Sequence, residues 1–338
     1  MRKDGPITLA VDAMGGDHGP TEIVSGAISA ARQWEIEIAL VGDPLAIDSE
    51  LARHDTDGLR LKVVPSKGVI GEDQQPALAL RQKPEASILV AAGLVKKGLA
   101  QGLVTMGSTG AAMAAATVVL GTLEGLPRPA LGGPIIGLSP HTVVIDVGTN
   151  LDCKPTQLLS FAVMGGVFAT LFWNIQDPKV ALLSVGSEPG KGNKQVRETT
   201  ELFEKSPINF IGNIEANELP TGKADVVVAD GFVGNIVMKL TEGIGSSIAA
   251  LIAERLKNNL PDNQIVDLER EIYTVNNVVE THGGGPLLGV DGICVIGHGR
   301  GKAESVHRAI GTAKTSIEGN LVGRQSDRLR QIQTQSIS

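Results

Sequence analysis

Short apolar, β-branched runs alternate with helix-patterned segments along most of this chain. Strand candidates fall at 7–12, 37–42, 61–65, 102–105, 141–147, 179–184, 209–214, 224–230 and 292–297. Helical periodicity separates many of them, as at 21–32, 110–120 and 156–172. Such alternation argues for a largely parallel sheet with helices on both faces, because parallel strands need long crossover connections. No polar linker of domain-boundary length interrupts the rhythm. The expectation is one three-layer α/β/α domain over 1–325.

Composition narrows the class. The 338 residues include 42 glycines, about one in eight against a usual ~7%. Aromatics are 3% and no Gly-X-Y period exists, so collagen is excluded. Hydrophobic residues at 42% and charged residues at 20% exclude disorder. A net charge of −7 argues against a nucleic-acid partner, since phosphate backbones need a basic surface. Two cysteines, Cys153 and Cys294, are too few for a disulfide framework or a zinc site. The first apolar run, 7–11, is too short for a signal peptide. The uncharged, strongly apolar stretch 158–173 falls short of the ~20 residues of a spanning helix. With Phe161, Phe168, Phe172 and Trp173 it reads as a buried helix. A cytoplasmic protein is expected.

One segment breaks the rhythm. Ile236, Leu240, Ile244, Ile248, Leu251, Ile252 and Leu256 recur at helical spacing over 235–259. Pro261 ends that helix, and 264–271 reads as its return. A helical hairpin over 235–275, projecting from the sheet, must bury its stripe on something, most simply on a second subunit. The alternative is a helix lying on the sheet. The tail, 326–338, is polar and expected to fray.

Chemistry is expected at the strand ends, because ligands of open α/β sheets bind beyond the carboxyl ends of the strands. Five turns rich in Gly, Asp or Asn lie there: 12–20, 105–110, 146–150 with Lys154 nearby, 186–193 and 230–235. Several lead into helix amino termini, which favour anions. Together they point to a small anionic or phosphoryl ligand held largely by main-chain N–H groups. Standard nucleotide motifs are missing. No G-x-G-x-x-G follows the first strand, and Gly186–Lys191 is one residue short of a Walker A and lacks its Ser/Thr. No His/Cys spacing suggests zinc, and no cofactor is expected. Among single residues, His18 sits in a polar turn and suits a ligand or proton-transfer role as well as a turn role. Lys191, between two glycines, suits an anion. Asn235 is either a ligand group or an N-cap. Cys153 lacks a local histidine partner, Cys294 reads as core, and His298 is a weaker candidate.

These turns together resemble the phosphate acyltransferases of bacterial phospholipid synthesis, the PlsX family. The matching stretches are Val11-Asp12-Ala13-Met14-Gly15-Gly16-Asp17-His18-Gly19-Pro20, Gly107-Ser108-Thr109-Gly110, Arg128-Pro129-Ala130, Asp146-Val147-Gly148 through Asp152-Cys153-Lys154-Pro155, Gly190-Lys191-Gly192-Asn193, Asn209-Phe210-Ile211-Gly212-Asn213, Asp230-Gly231-Phe232 with Gly234-Asn235, and Gly284-Gly285-Pro286-Leu287-Leu288-Gly289-Val290. They run in order over residues 7–315, and the first is the most specific. Ser108 stands where the family usually has Asn, and His282 near a usual Tyr-Gly-Gly; both exchanges are polar for polar. The resemblance implies transfer of a fatty acyl group from acyl-carrier-protein thioester to inorganic phosphate. The acyl phosphate would feed a membrane glycerol-3-phosphate acyltransferase. It also implies a fold like the isopropylmalate dehydrogenase and phosphotransacetylase group, as a homodimer.

That chemistry suits the residues. Phosphate is already an anionic nucleophile, and the leaving thiolate has a conjugate acid of pKa ~8–9, so no catalytic triad is needed. Orientation and oxyanion stabilisation are needed. Lys191, Asn235 and His18 are the expected catalytic residues. Substrate and phosphate binding is expected from Asp12, Gly15, Gly16, Asp17, Gly107, Ser108, Thr109, Gly110, Asp146, Asn150, Lys154, Gly190, Gly192, Asn193, Asp230 and Gly231. Acyl carrier protein is acidic, so docking needs a basic patch, with Lys96-Lys97 or Arg255 and Lys257 as candidates. Leu256, Leu260 and Pro261 at the hairpin tip suggest peripheral membrane contact. Competing readings are a phosphotransacetylase-like enzyme using acyl-coenzyme A, a metal- and NAD-dependent decarboxylating dehydrogenase of the same broad fold, and a non-enzymatic anion- or lipid-binding dimer.

Overall fold

Each apolar run in the sequence becomes a strand, and the intervening repeats become helices. The computed structural model describes residues 5–188, 190–278 and 283–335, so Pro189 and His282 lie outside it. The strands are β1 (Ile7–Asp12), β2 (Ile36–Gly42), β3 (Arg60–Pro65), β4 (Gly102–Thr105), β5 (Ala130–Pro134), β6 (Val143–Ile145), β7 (Val180–Leu183), β8 (Phe210–Ile214), β9 (Val226–Val228), β10 (Gly285–Leu288) and β11 (Ile293–Ile296). The helices are α1 (Thr21–Gln33), α2 (Pro44–Leu51), α3 (Pro76–Gln82), α4 (Ser87–Lys96), α5 (Thr109–Ala115), α6 (Pro155–Trp173), α7 (Lys194–Glu204), α8 (Gly231–Leu256), α9 (Asp262–Asn276), α10 (Ala303–Glu318) and α11 (Leu321–Gln335).

The strand–helix alternation expected over 1–325 is laid out as two compact units. The first comprises Met1–Pro129 and His282–Arg324, the second Ala130–Thr281 and Gln325–Ser338.

In the first unit the strand order is β3-β2-β1-β4-β11-β10, parallel except for β10, which runs antiparallel to β11. Leu9, Ala10 and Val11 are successive and all buried. Since successive side chains alternate faces, both faces of the sheet are covered. One cover is α1 with α10, and another is α4 with α5. Asp43 caps α2 through Leu45 N and Ala46 N, with Pro44 at the first helical position, both strong start signals.

In the second unit the order is β5-β6-β9-β7-β8, again parallel except for one strand, β5 against β6. One face packs Val144, Val227 and Ala181 with Ile135, Ile214 and Leu219, and Val237 and Met238 from the base of α8 join it. The other face receives α6, whose Gly165 lies against Val226. The uncharged run is this helix, with Phe161, Met164 and Phe168 buried. Phe168 stacks on Phe172 at 4.4 Å and meets Trp173 edge-on at 5.4 Å.

The helical hairpin is present as α8 and α9, which pack on each other. α8 has 26 residues, about 39 Å at 1.5 Å per residue. Only Gly231, Gly234, Gly245 and Ala249 of it are buried. α6 and α8 are both long and apolar enough to cross a membrane, but half of the apolar window of α6 is buried, against 11% for α8. The expectation for the tail is corrected: it continues as α11 to Gln335. Its apolar residues Leu329 and Ile332 are buried and Arg328 donates to Pro207 O. Burial of a few apolar side chains orders a segment whose composition alone reads as polar.

Candidate active site

The expected site residues fall into two groups, one in each unit. In the first, Asp12 ends β1 and is buried. Its Oδ2 accepts from Thr105 Oγ1 at 2.8 Å, and its Oδ1 from Met14 N at 3.2 Å. Thr105 Oγ1 in turn accepts from Gly107 N at 3.0 Å. One carboxylate thus ties the loops after β1 and β4 together. Gly15 sits where they meet: a Cβ there would lie 2.8 Å from both Asp12 Oδ2 and Gly107 N. The loop after β11 joins them, with Asp17 N donating to Gly299 O at 2.8 Å. Burial pushes the Asp12 carboxyl up from its ordinary range, against the pull of its hydrogen bonds. Asp12 therefore holds the loops after β1 and β4 in position. Asp17, His18 and Thr109 are exposed, while Gly16, Ser108 and Gly110 are half-buried. Ser108 caps α5 through Ala111 N at 3.4 Å. His298 Nδ1 accepts from Arg300 N at 3.5 Å.

In the second unit Asp146 follows β6 and is 0% exposed. Its Oδ1 accepts from Thr149 N at 3.1 Å and Thr149 Oγ1 at 2.5 Å. Its Oδ2 accepts from Asn150 N at 2.7 Å and Asn150 Nδ2 at 2.8 Å. Four donors wind the loop around one carboxylate, so Asp146 too is a positioning group. Burial pushes its carboxyl up while these bonds oppose the shift. Asn150 O then accepts from Gly231 N at 2.7 Å, docking the first turn of α8 onto the loop. Approach is close enough to require glycine at 234, where a Cβ would fall 1.9 Å from Asp146 O.

Helix α8 begins four residues before Asn235, and its cap is Asp230, whose side chain accepts from Val233 N at 2.8 Å. The N-cap alternative for Asn235 is therefore corrected. Asn235 lies half-buried one turn into the helix, beside Gly148: a Cβ on Gly148 would be 3.3 Å from Asn235 Oδ1. Its amide is free of capping duty and sits over the Asp146 loop.

Lys191 is exposed between Gly190 (φ 84°) and Gly192 (φ 97°). Positive φ on both sides favours glycine and turns the backbone sharply around the lysine. Asn193 caps α7 through Val196 N at 2.9 Å. Lys154 is exposed beside Cys153. Burial, with the Asp146 charge second, pushes the Cys153 thiol up to about 12, so it stays protonated at neutral pH and is no ready nucleophile. Cys294 is buried in β11, and burial pushes its thiol up to about 12 as well. No group of three or more His, Cys, Asp and Glu residues able to hold a metal occurs among the described residues.

Comparison with known proteins decides among the chemistries such loops could serve. The profile of a family described as "Fatty acid synthesis protein" matches residues 7–324. The chain is 42% identical over 321 residues to the phosphate acyltransferase of Desulfitobacterium hafniense strain DSM 10664 / DCB-2, covering 94% of this chain and 96% of that one. The chain belongs to the phosphate acyltransferase family. The phosphate acyltransferase of Synechocystis sp. is similarly close, at 42% identity over 93% of this chain and 91% of its own. A phosphotransacetylase from Streptococcus pyogenes shares the fold with a TM-score of 0.60 at 19% identity, over 93% of this chain and 94% of that one. The expected fold class and acyltransferase activity are thereby established, and the dehydrogenase and non-enzymatic readings give way to them.

A phosphate acyltransferase loop set also contains residues that the sequence reading passed over. Thr105 and Thr149 hold the two carboxylates. Gln195 Nε2 donates to Cys153 O at 2.6 Å, tying α7 to the Asp146 loop. Ser184, just after β7, keeps a buried hydroxyl with no partner among the described residues, and a Cβ on Gly192 would lie 3.2 Å from it. The first three are ordinary polar residues whose role comes from long-range contacts. Ser184 alone carried a signal, its place at a strand end just before a glycine-rich turn.

Proposed function

We propose that the chain transfers a fatty acyl group from acyl-carrier-protein thioester to inorganic phosphate, releasing acyl phosphate and the free carrier thiol. Family membership supports acyl transfer to phosphate. The observation that carries the finer reading is the arrangement around Asp146. A fully protein-satisfied carboxylate fixes a loop on which Asn235 rests with its amide uncommitted to capping. Lys191, exposed on a glycine-flanked turn, supplies the positive charge for phosphate. A phosphate oxygen attacks the thioester carbonyl carbon, and the carbonyl oxygen takes up the negative charge of the tetrahedral intermediate. Asn235 donates to that oxygen or to phosphate. Collapse breaks the C–S bond, and the thiolate leaves without strong acid catalysis. His18, with Asp17 and the Gly107–Gly110 loop, is assigned to substrate binding in the first unit. Asp12 and Asp146 hold these loops in place.

The long hairpin fits a homodimer, since α8 keeps a largely exposed apolar stripe. Peripheral membrane contact belongs to the same surface. Leu256 and Leu260 are half-buried, however, so Val266 and the α8 stripe offer more apolar area than the tip. Arg255 and Lys257 are exposed and suit an acidic carrier protein better than Lys96, whose amine donates to Leu120 O at 2.9 Å. The compartment is the cytoplasm, where acyl phosphate can reach a membrane glycerol-3-phosphate acyltransferase.

Steady-state kinetics of two variants test the roles. Lys191→Ala is expected to raise the KM for phosphate by about tenfold or more. Asn235→Ala is expected to lower kcat by about a hundredfold with little change in phosphate KM. Wild-type values in both variants would overturn the assignment. Faster turnover of acyl-coenzyme A than of acyl carrier protein would favour the phosphotransacetylase-like alternative.

A further inference from the structure

A buried hydroxyl ordinarily finds a hydrogen-bond partner, because leaving it without one costs free energy. Ser184 Oγ, in the residue after β7, is closed to solvent and has no partner among the described residues. The main chain that carries it is fixed, since Ser184 N donates to Ile214 O of β8 at 2.9 Å. Packed against the hydroxyl is the turn that bears Lys191. A Cβ on Gly192 would be 3.2 Å from Ser184 Oγ. Two residues beyond Ser184, Gly186 lies against the Lys191 stem: a Cβ there would be 3.0 Å from Lys191 Cγ and 3.3 Å from its Cδ. The end of β7 is thus the floor on which the turn rests, Ser184 meeting Gly192 and Gly186 meeting Lys191. From Gly192 onward the turn is tied to α7, because Arg197 Nη1 donates to Gly192 O at 2.7 Å and Asn193 caps the helix. Lys191 N makes a longer bond, to Glu188 O at 3.2 Å. Glycines of positive φ on either side of the lysine let its peptide units reorient.

We infer that Ser184 is a positioning residue for phosphate: its hydroxyl donates to a main-chain carbonyl of the 190–192 turn once phosphate draws Lys191 onto the floor, and so holds the lysine on its ligand. The inference rests on the reading of Lys191 as the phosphate-binding cation. A hydrogen bond missing from the free protein and made in the loaded one favours the loaded form alone, and a ligand shifts an equilibrium only by such differences between the two states. The hydroxyl therefore costs stability in the free protein and returns it when phosphate binds. The competing reading is that Ser184 only fills space under Gly192. Any side chain of similar volume would then serve equally well.

Kinetics of the full chain with palmitoyl-acyl carrier protein and varied inorganic phosphate, together with thermal melts, test this. Ser184→Ala is expected to raise the phosphate KM about tenfold and to change kcat far less. Its phosphate-free Tm should stay at or above the wild-type value, because the hydroxyl it removes has no partner there. Ser184→Cys, similar in shape but a weak donor, should behave as Ser184→Ala does. In a Lys191→Ala background, Ser184→Ala should add nothing further to the phosphate KM, since it acts through the lysine. A wild-type phosphate KM in Ser184→Ala or in Ser184→Cys would overturn the inference while leaving the role of Lys191 intact. So would a raised KM accompanied by a lowered phosphate-free Tm, which marks an ordinary structural residue. A further rise in the double variant would also overturn it, by making Ser184 independent of the lysine. A wild-type phosphate KM in Lys191→Ala would overturn the reading of the lysine first, and the inference with it.

Discussion

Asp146 shows how one buried side chain can hold a whole loop in shape. Its carboxylate accepts four hydrogen bonds from Thr149 and Asn150 and is closed to solvent. Asp146→Asn would turn one acceptor atom into a donor facing donors, at a cost of about 2 kcal/mol or more. The pH dependence follows from the direction of the shift. Burial raises the folded-state carboxyl above its unfolded value, so its contribution is fully present below the ordinary carboxylate range. It is lost as pH rises through the folded value. The urea stability of wild type minus that of Asp146→Asn should therefore be larger near pH ~4 than near pH ~8. An advantage that grows with pH would mean a depressed carboxyl and a different environment.

At the scale of elements, the sharpest feature is the close packing of α8 on α9. A Cβ on Gly245 would lie 2.1 Å from Asn276 Cβ and 2.5 Å from its Cγ. Gly245→Val should splay the hairpin and cost about 1–3 kcal/mol, seen as a lowered Tm; an unchanged Tm would mean that the helices already part there. The same hairpin was legible in the sequence, because Ile236, Leu240, Ile244 and Ile248 repeat at helical spacing. Parallel strands were legible for a related reason: buried on both faces, they read as plain apolar runs. Two strands escaped. β5 contains Gly132, Gly133 and Pro134, and β10 begins Gly285-Pro286, compositions that read as loop. Each is the antiparallel strand of its unit. The helix start at Gly231 was also missed, because Gly231 and Gly234 lower helix propensity locally. Contacts with Asn150 and Asp146 demand glycine at both positions.

At the scale of the whole molecule, 42 glycines and few aromatics describe how the chain folds. Glycines at strand ends let loops close tightly around Asp12 in the first unit and around Asp146 in the second. Which loops are candidates for the chemistry was readable from glycine and aspartate at strand ends. Which residues hold those loops was not, because Thr105, Thr149 and Gln195 gain their roles only through partners set by the fold. The central claim is that phosphate is the acyl acceptor. It is tested by incubating the full chain with palmitoyl-acyl carrier protein, with and without inorganic phosphate, and measuring free carrier thiol and acyl phosphate together. The account predicts equal molar amounts of the two products and no thiol release without phosphate. Thiol released at the same rate without phosphate, or without matching acyl phosphate, would contradict it.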